Sequence, residues 1–275
     1  MGRDLKAENL SVSVPNHGCD KNCPYCISRM TGYVENDYSR MVRNVEKIRN
    51  VARAAEVTSV LFTGKGEPIL AWEELLALGR EFAGWPLELQ TNGIKLSGDD
   101  GSLIASLYDA GFDVVAVSMD SDRQFENYRP LFSRIIDAGM TLRITVNITD
   151  ILAPRSFDDL LSYCREHAIN QLTLRKIVVP ENPKDEDTAR WIEEHGVPGV
   201  YDDLIRQGVD TAKKRGKLIR SLAHGVLVYD IDGVSFSYSD YCIQERNEGD
   251  NIRSLVFLED GHLYTSWNSR ASILF

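Results

Sequence analysis

Between residues 9 and 180, short and almost wholly apolar runs alternate with longer stretches whose apolar residues recur every three or four positions. That alternation limits the fold more than any other feature. A strand buried on both faces needs helices to cover it, and a parallel neighbour reached through a crossover. Six strand candidates stand out, at 10–14, 58–62, 87–90, 114–118, 142–147 and 171–178. Between them, Met41, Val45, Ile48, Ala52 and Ala55 share one helical face. Leu103, Ile104, Leu107 and Ala110 do the same before Gly111, as do Leu131, Ile135, Ile136 and Ala138 before Gly139. Glycine there is the usual left-handed helix terminator. Ser156 is placed to cap a helix carrying Leu160, Leu161 and Cys164. The pattern predicts six βα units: an α/β chain forming a partial (β/α)6 TIM-like barrel, short of the closed eight-unit form.

The character changes after Val179. A polar break marked by Pro180 and Pro183 is followed by helical stretches around Trp191 and over 204–217. Alternating runs then occupy 225–231, 234–238, 253–258 and 262–267, punctuated by the hairpin dipeptides Asp232-Gly233 and Asp260-Gly261. The expectation is a barrel core over 1–180 and a small C-terminal α+β extension over 181–275, whose helices and antiparallel hairpins cover the barrel. A chain of 275 residues with 43% hydrophobic content can bury that much structure.

Of five cysteines, three crowd into the run His17-Gly18-Cys19-Asp20-Lys21-Asn22-Cys23-Pro24-Tyr25-Cys26. The run leaves the first strand at its C-terminal end, which is the active-site face of βα barrels. Such clustering reads as metal ligation in a reducing compartment rather than as a disulfide framework. Three thiolates can wrap one cuboidal iron-sulfur cluster and leave one iron open to a small molecule. The competing reading is a structural zinc site completed by His17.

The Cys19, Cys23, Cys26 spacing, with Tyr25 before the last cysteine, resembles the signature of the radical S-adenosylmethionine (radical SAM) superfamily. Thr63-Gly64-Lys65-Gly66-Glu67-Pro68, after the second strand, resembles its Gly-Gly-Glu-Pro motif, with Lys65 in place of the first glycine. Alone it would be an ordinary strand-to-helix turn. The segments Gln90-Thr91-Asn92-Gly93 and Val117-Ser118-Met119-Asp120-Ser121 resemble the branch containing the molybdopterin-precursor cyclase. Taken singly, Asn92-Gly93 and Asp120 read equally well as turn residues. The resemblance implies one 4Fe-4S cluster per chain on Cys19, Cys23 and Cys26, with S-adenosylmethionine as cosubstrate. It implies that Gly64, Lys65, Gly66, Glu67 and Pro68 hold the methionine amino group. Thr91 and Ser118 would touch ribose or carboxylate, with Tyr25, Asn92 and Asn147 close by. It further implies an electron donor such as flavodoxin or ferredoxin, and a 5′-deoxyadenosyl radical that abstracts hydrogen from substrate.

Substrate identity is constrained mainly by what the chain lacks. Relatives with a second cluster carry a cysteine-rich extension, and beyond the triplet there are only Cys164 and Cys242. The balance of 31 Lys+Arg against 41 Asp+Glu, a net charge of -10, disfavours nucleic acid. The basic cluster Lys213, Lys214, Arg215, Lys217 and Arg220 is either a solvated helix face or a contact for an anionic substrate. No apolar run approaches the roughly 20 residues of a membrane span, and Met1-Gly-Arg-Asp-Leu-Lys lacks a secretory apolar stretch, so a cytoplasmic protein without a membrane partner is expected. The leading expectation is an enzyme acting on a small molecule, such as a nucleotide or another phosphorylated metabolite. The alternatives are an activase or modifier of a protein, peptide or RNA, and a non-enzymatic zinc or iron-sulfur binding module.

Overall fold

The computed structural model describes residues 5–152, 155–196, 200–222, 225–239 and 251–275. The strands are β1 (Lys6–Ser13), β2 (Ser59–Thr63), β3 (Leu87–Thr91), β4 (Phe112–Met119), β5 (Thr141–Ile148), β6 (Gln171–Lys176), β7 (Lys217–Ser221), β8 (Leu227–Ile231), β9 (Val234–Ser239), β10 (Asn251–Phe257) and β11 (Leu263–Tyr264). The helices are α1 (Ile27–Thr31), α2 (Tyr38–Ala54), α3 (Trp72–Glu81), α4 (Ile94–Ser97), α5 (Ser102–Asp109), α6 (Asp122–Asn127), α7 (Arg129–Asp137), α8 (Phe157–Glu166), α9 (Glu186–His195) and α10 (Val200–Arg215).

All strands belong to one sheet, in the order β11-β10-β1-β2-β3-β4-β5-β6-β9-β8-β7. The six expected strands pair in parallel, in sequence order, as βα repeats require. One arm of each C-terminal hairpin then lengthens the parallel run: β10 pairs with β1, and β9 with β6. The hairpins β8–β9 and β10–β11 are antiparallel within themselves. They therefore join the barrel sheet at its two edges, because an open parallel sheet presents unpaired backbone groups there that a returning strand satisfies. At the β8–β9 turn Asp232 and Gly233 both take positive φ, 54° and 86°, as a two-residue hairpin demands.

Alternate strand residues divide between two environments. Leu10, Val12, Phe62, Leu89, Val117, Ile144 and Leu174 enter one continuous core beneath the helices, with Met41 and Ile48 of α2 and Leu131 and Ile135 of α7. The opposite residues form a polar interior. Arg143 donates to Glu88 at 2.6 Å and to Gln171 at 2.7 Å, and Thr173 lies 3.0 Å from Ser237. Closed barrels fill that space with branched aliphatic side chains; here it is hydrogen-bonded and hydrophilic.

Helix ends follow their local chemistry. Ser156 forms a capping box with Asp159 at the start of α8, and Asp37 caps α2 by accepting from the Arg40 backbone. After the sheet's β10–β11 turn, Asn44 and Arg40 of α2 donate to the carbonyls of Gly261 and Asp260, and Lys47 lies over the Phe275 ring. The C-terminal residues thus close the core edge against α2. Arg215 pairs with Asp158 and Asp232, and Arg220 lies 3.7 Å from Glu8, so two members of the basic cluster are matched within the chain.

Candidate active site

The cysteine loop leaves β1 and is pinned first by the turn after β2. Val14 N–H donates to the Thr63 carbonyl at 2.8 Å, and Glu67 N–H donates to the Gly18 carbonyl at 2.9 Å. Gly66 lies directly against this loop. A Cβ there would come within 2.2 Å of the Gly18 oxygen and 2.4 Å of Asn16 Oδ1, so only glycine permits the approach.

The ends of β3 and β4 hold the loop from the other side. Asn92 Nδ2 donates to Asp20 Oδ1 at 2.7 Å and lies 3.9 Å from Cys19 Sγ, which also faces the Lys21 N–H at 3.4 Å. Asp120, buried beyond β4, accepts from Lys21 Nζ at 2.8 Å and from the Tyr25 hydroxyl. Its own N–H donates to Gln124 Oε1 at 2.8 Å, which fixes its position. Burial, reinforced by the Asp120 charge, pushes the Tyr25 phenol far above its ordinary range. Above the loop, α9 contributes Ile192 and Trp191 to a small core with Tyr25, Met30 and Ile177; the Tyr25 and Trp191 rings are 5.8 Å apart.

Glu67 ties the second βα turn to the third. Its carboxylate accepts from Thr91 Oγ1 at 2.6 Å, Asn92 N–H at 2.8 Å and Ile69 N–H at 3.2 Å, while burial pushes its pKa up. The interactions that position Asn92 therefore begin in the Gly-Glu-Pro turn.

Cys19, Cys23, Cys26, Tyr25, Gly66, Glu67, Pro68, Thr91, Asn92, Ser118 and Asn147 line one pocket, together with Lys21, Gln90, Arg175 and Ile177. Two of the residues singled out from the sequence are not in its lining. Gly64 packs against backbone at ordinary van der Waals distance. Lys65 turns its amine to the opposite side, where it donates to Thr31 Oγ1 at 2.6 Å and lies 5.6 Å from the Trp267 ring. The attraction there is the fully buried Glu259; burial lowers the Lys65 pKa to about 8 despite that charge. The Lys65 side chain thus turns away from the pocket, while the contact expected of this turn rests on its backbone and on the Glu67 carboxylate.

His17 is also elsewhere. Its Nε2 lies 3.3 Å from Glu74, and among the described residues no three His, Cys, Asp or Glu side chains are grouped to hold one metal ion. A cubane binds each thiolate through a different iron and so suits a wider triangle of sulfurs than a single zinc does. Cys19, Cys23 and Cys26 are free thiols lining a common pocket, the donor set that a cluster with one open iron takes. Without metal, burial pushes Cys23 up to about 11. Cys164 is buried on α8, where burial pushes it up to about 12; Cys242 lies outside the described residues.

Sequence reasoning did not single out Lys21 or Arg175, and it left Asp120 undecided. The available signals were a lysine inside the cysteine run, an acid immediately past a strand, and an arginine at an inward strand position.

Known proteins resemble this chain in sequence and in fold. Over 124 residues the chain is 29% identical to GTP 3′,8-cyclase of Clostridium acetobutylicum, covering 44% of this chain and 36% of that one. Structurally it is similar to Streptococcus suis SuiB bound to S-adenosylmethionine, with TM-score 0.62, 14% identity, and 95% of this chain and 60% of SuiB covered. SuiB bound to its precursor peptide SuiA gives TM-score 0.57, 13% identity and the same coverage. The chain thus spans little more than a third of the cyclase and 60% of SuiB. Residues 13–192 match the radical SAM superfamily, and the chain belongs to that superfamily.

Proposed function

We propose that this chain holds one 4Fe-4S cluster on Cys19, Cys23 and Cys26, cleaves S-adenosylmethionine reductively beside it, and acts on a small hydrophilic molecule in the polar barrel interior. The observation that carries the reading is the convergence of the three cysteines with Gly66, Glu67, Thr91, Asn92, Ser118 and Asn147 in one pocket. When bound, the cluster and S-adenosylmethionine supply a 5′-deoxyadenosyl radical that abstracts hydrogen from substrate.

The chain's own residues orient and shield. Lys21, Tyr25 and Asp120 fix the loop, and the Lys21 N–H and Asn92 Nδ2 point at the Cys19 sulfur, where they favour its negative form. Trp191 and Ile192 cover the loop and keep water from its Tyr25 side. Gly66 allows the Gly-Glu-Pro turn to sit against the cysteine loop, which brings its backbone and Pro68 to the pocket for the methionine amino group. Asn147 Oδ1 is buried and without a partner among the described residues, ready to accept from a ribose hydroxyl. Cys19 is the most exposed of the three cysteines, so a small carrier such as flavodoxin or ferredoxin would deliver its electron on that side.

The hydrophilic interior favours a nucleotide or another phosphorylated metabolite, and the free thiols suit the reducing cytoplasm. No helix of the described residues is long and apolar enough to cross a membrane. A peptide substrate is the second reading, favoured by the likeness to SuiB in its peptide-bound form. Metal and sulfide analysis of anaerobically prepared protein tests the cluster: about four irons per chain are expected, whereas colourless protein with one zinc contradicts it.

A further inference from the structure

We propose that Arg175 anchors an oxyanion, a carboxylate or a phosphate, of the substrate, so that the molecule that reacts in this pocket is anionic. This deepens the function proposed above and rests on it.

Among the described residues, the pocket lining contains two cations, Lys21 and Arg175. Lys21 is neutralised by Asp120 at 2.8 Å. Deeper in the interior, Arg143 is held by Glu88 at 2.6 Å and Gln171 at 2.7 Å. Arg175 has no hydrogen bond or ion pair with any described residue. Its register neighbours, Asn147 on β5 and Ser239 on β9, carry no charge.

The nearby carboxylates among the described residues are committed elsewhere. Glu67 accepts three hydrogen bonds at the Gly-Glu-Pro turn, Asp20 accepts from Asn92, Asp120 from Lys21 and Tyr25, and Glu88 from Arg143 and Gln90. Among the described residues, the Arg175 guanidinium is thus left unmatched in the lining it shares with the cysteines. A guanidinium presents a fixed fork of donors that matches carboxylate and phosphate oxygens, and a partly buried one gains most from a partner that arrives with the ligand.

Position separates this anchor from the contacts proposed for the methionine end of the cosubstrate, although its register neighbour Asn147 is the residue proposed for the ribose. Gly66 and Glu67 follow β2, and Thr91 and Asn92 belong to the end of β3. Arg175 lies on β6, on the far flank of the parallel run. An oxyanion there places the rest of the molecule between β6 and the cysteine loop, where a hydrogen would be taken.

Inorganic phosphate is titrated calorimetrically into the anaerobically reconstituted chain saturated with S-adenosylmethionine, using wild type, Arg175→Met and Arg175→Lys. The expected result is binding to wild type, partial retention in Arg175→Lys, weakening by about tenfold or more in Arg175→Met, and unchanged S-adenosylmethionine affinity in all three. Equal phosphate binding by wild type and Arg175→Met, or no binding by wild type, overturns the proposal. So does a loss confined to S-adenosylmethionine affinity, which would assign Arg175 to the methionine carboxylate. The same titration on cluster-free chain separates this proposal from the one beneath it. If the cysteines hold no iron, the cluster reading fails, while Arg175-dependent phosphate binding remains measurable.

Discussion

Lys21 and Asp120 stand 99 positions apart in the chain and meet at 2.8 Å, joining the middle of the cysteine loop to the end of β4. The same carboxylate takes the Tyr25 hydroxyl, so one acid restrains the loop at two points between its cysteines. Asp120→Ala removes both and leaves a largely buried ammonium unpaired, a loss of about 3 kcal/mol. The variant is expected to unfold at lower temperature and to retain fewer irons per chain after anaerobic reconstitution. Tyr25→Phe, which keeps the ion pair, should lie between it and wild type. Full iron content in Asp120→Ala would show that the loop is held by other contacts.

The two glycines of the Gly-Glu-Pro turn should differ sharply. A Cβ at Gly66 meets backbone of the cysteine loop at 2.2 Å, whereas one at Gly64 meets nothing nearer than 3.5 Å. Gly66→Ala is expected to cost about 3 kcal/mol or more and to displace the cysteines, and Gly64→Ala to stay within about 1 kcal/mol of wild type. Denaturant unfolding together with iron content measures both.

Lys65 gives a pH dependence of known sign. Burial lowers its pKa from 10.5 to about 8, so between these values the folded chain has released a proton that the unfolded chain still holds. Stability from this group therefore rises with pH through that window, and the cost of burying the charge is fully present below it. Lys65→Met lacks the cost at every pH. In urea unfolding, wild type should gain stability relative to the variant between about pH 8 and pH 10.5. A difference that stays constant with pH would contradict the buried-amine assignment.

Trp191 covers Tyr25 from α9 without lining the pocket. Trp191→Ala should cost about 2 kcal/mol and open a path for water and oxygen to the loop. The expected signature is faster bleaching of the reconstituted protein in air, with the initial iron content unchanged. Equal bleaching rates would mean that the shield lies elsewhere.

How much of this was readable beforehand depends on whether the information is local. The six central strands are legible because each is a run such as Leu142 to Asn147, with alternate residues buried against helices. The helix ends at Gly111, Gly139 and Ser156 are legible because capping is settled within a few residues. The two hairpin turns were visible, but not the sheet partners of β9 and β10, because parallel pairing with β6 and β1 is a register across more than sixty and two hundred positions. β7 was read as the end of a helix: all five of its residues are exposed, so no apolar alternation marks it. In the site, the cysteine spacing carried its own signal, and the resemblance located the second, third and fourth turns. It could not foresee that Lys65 turns away from the pocket to Thr31, under the charge of Glu259, since that acid lies almost two hundred residues away. Nor could it mark Arg175 as unmatched among the described residues, because being without a partner is a property of the assembled charges.

The central claim is that the three cysteines form the reductive centre. The most direct test mixes anaerobically reconstituted protein with S-adenosylmethionine and dithionite and measures 5′-deoxyadenosine by chromatography, with Cys23→Ala in parallel. The account predicts product from wild type and none from Cys23→Ala. It is contradicted if wild type with a full four-iron cluster makes none, or if Cys23→Ala makes as much as wild type.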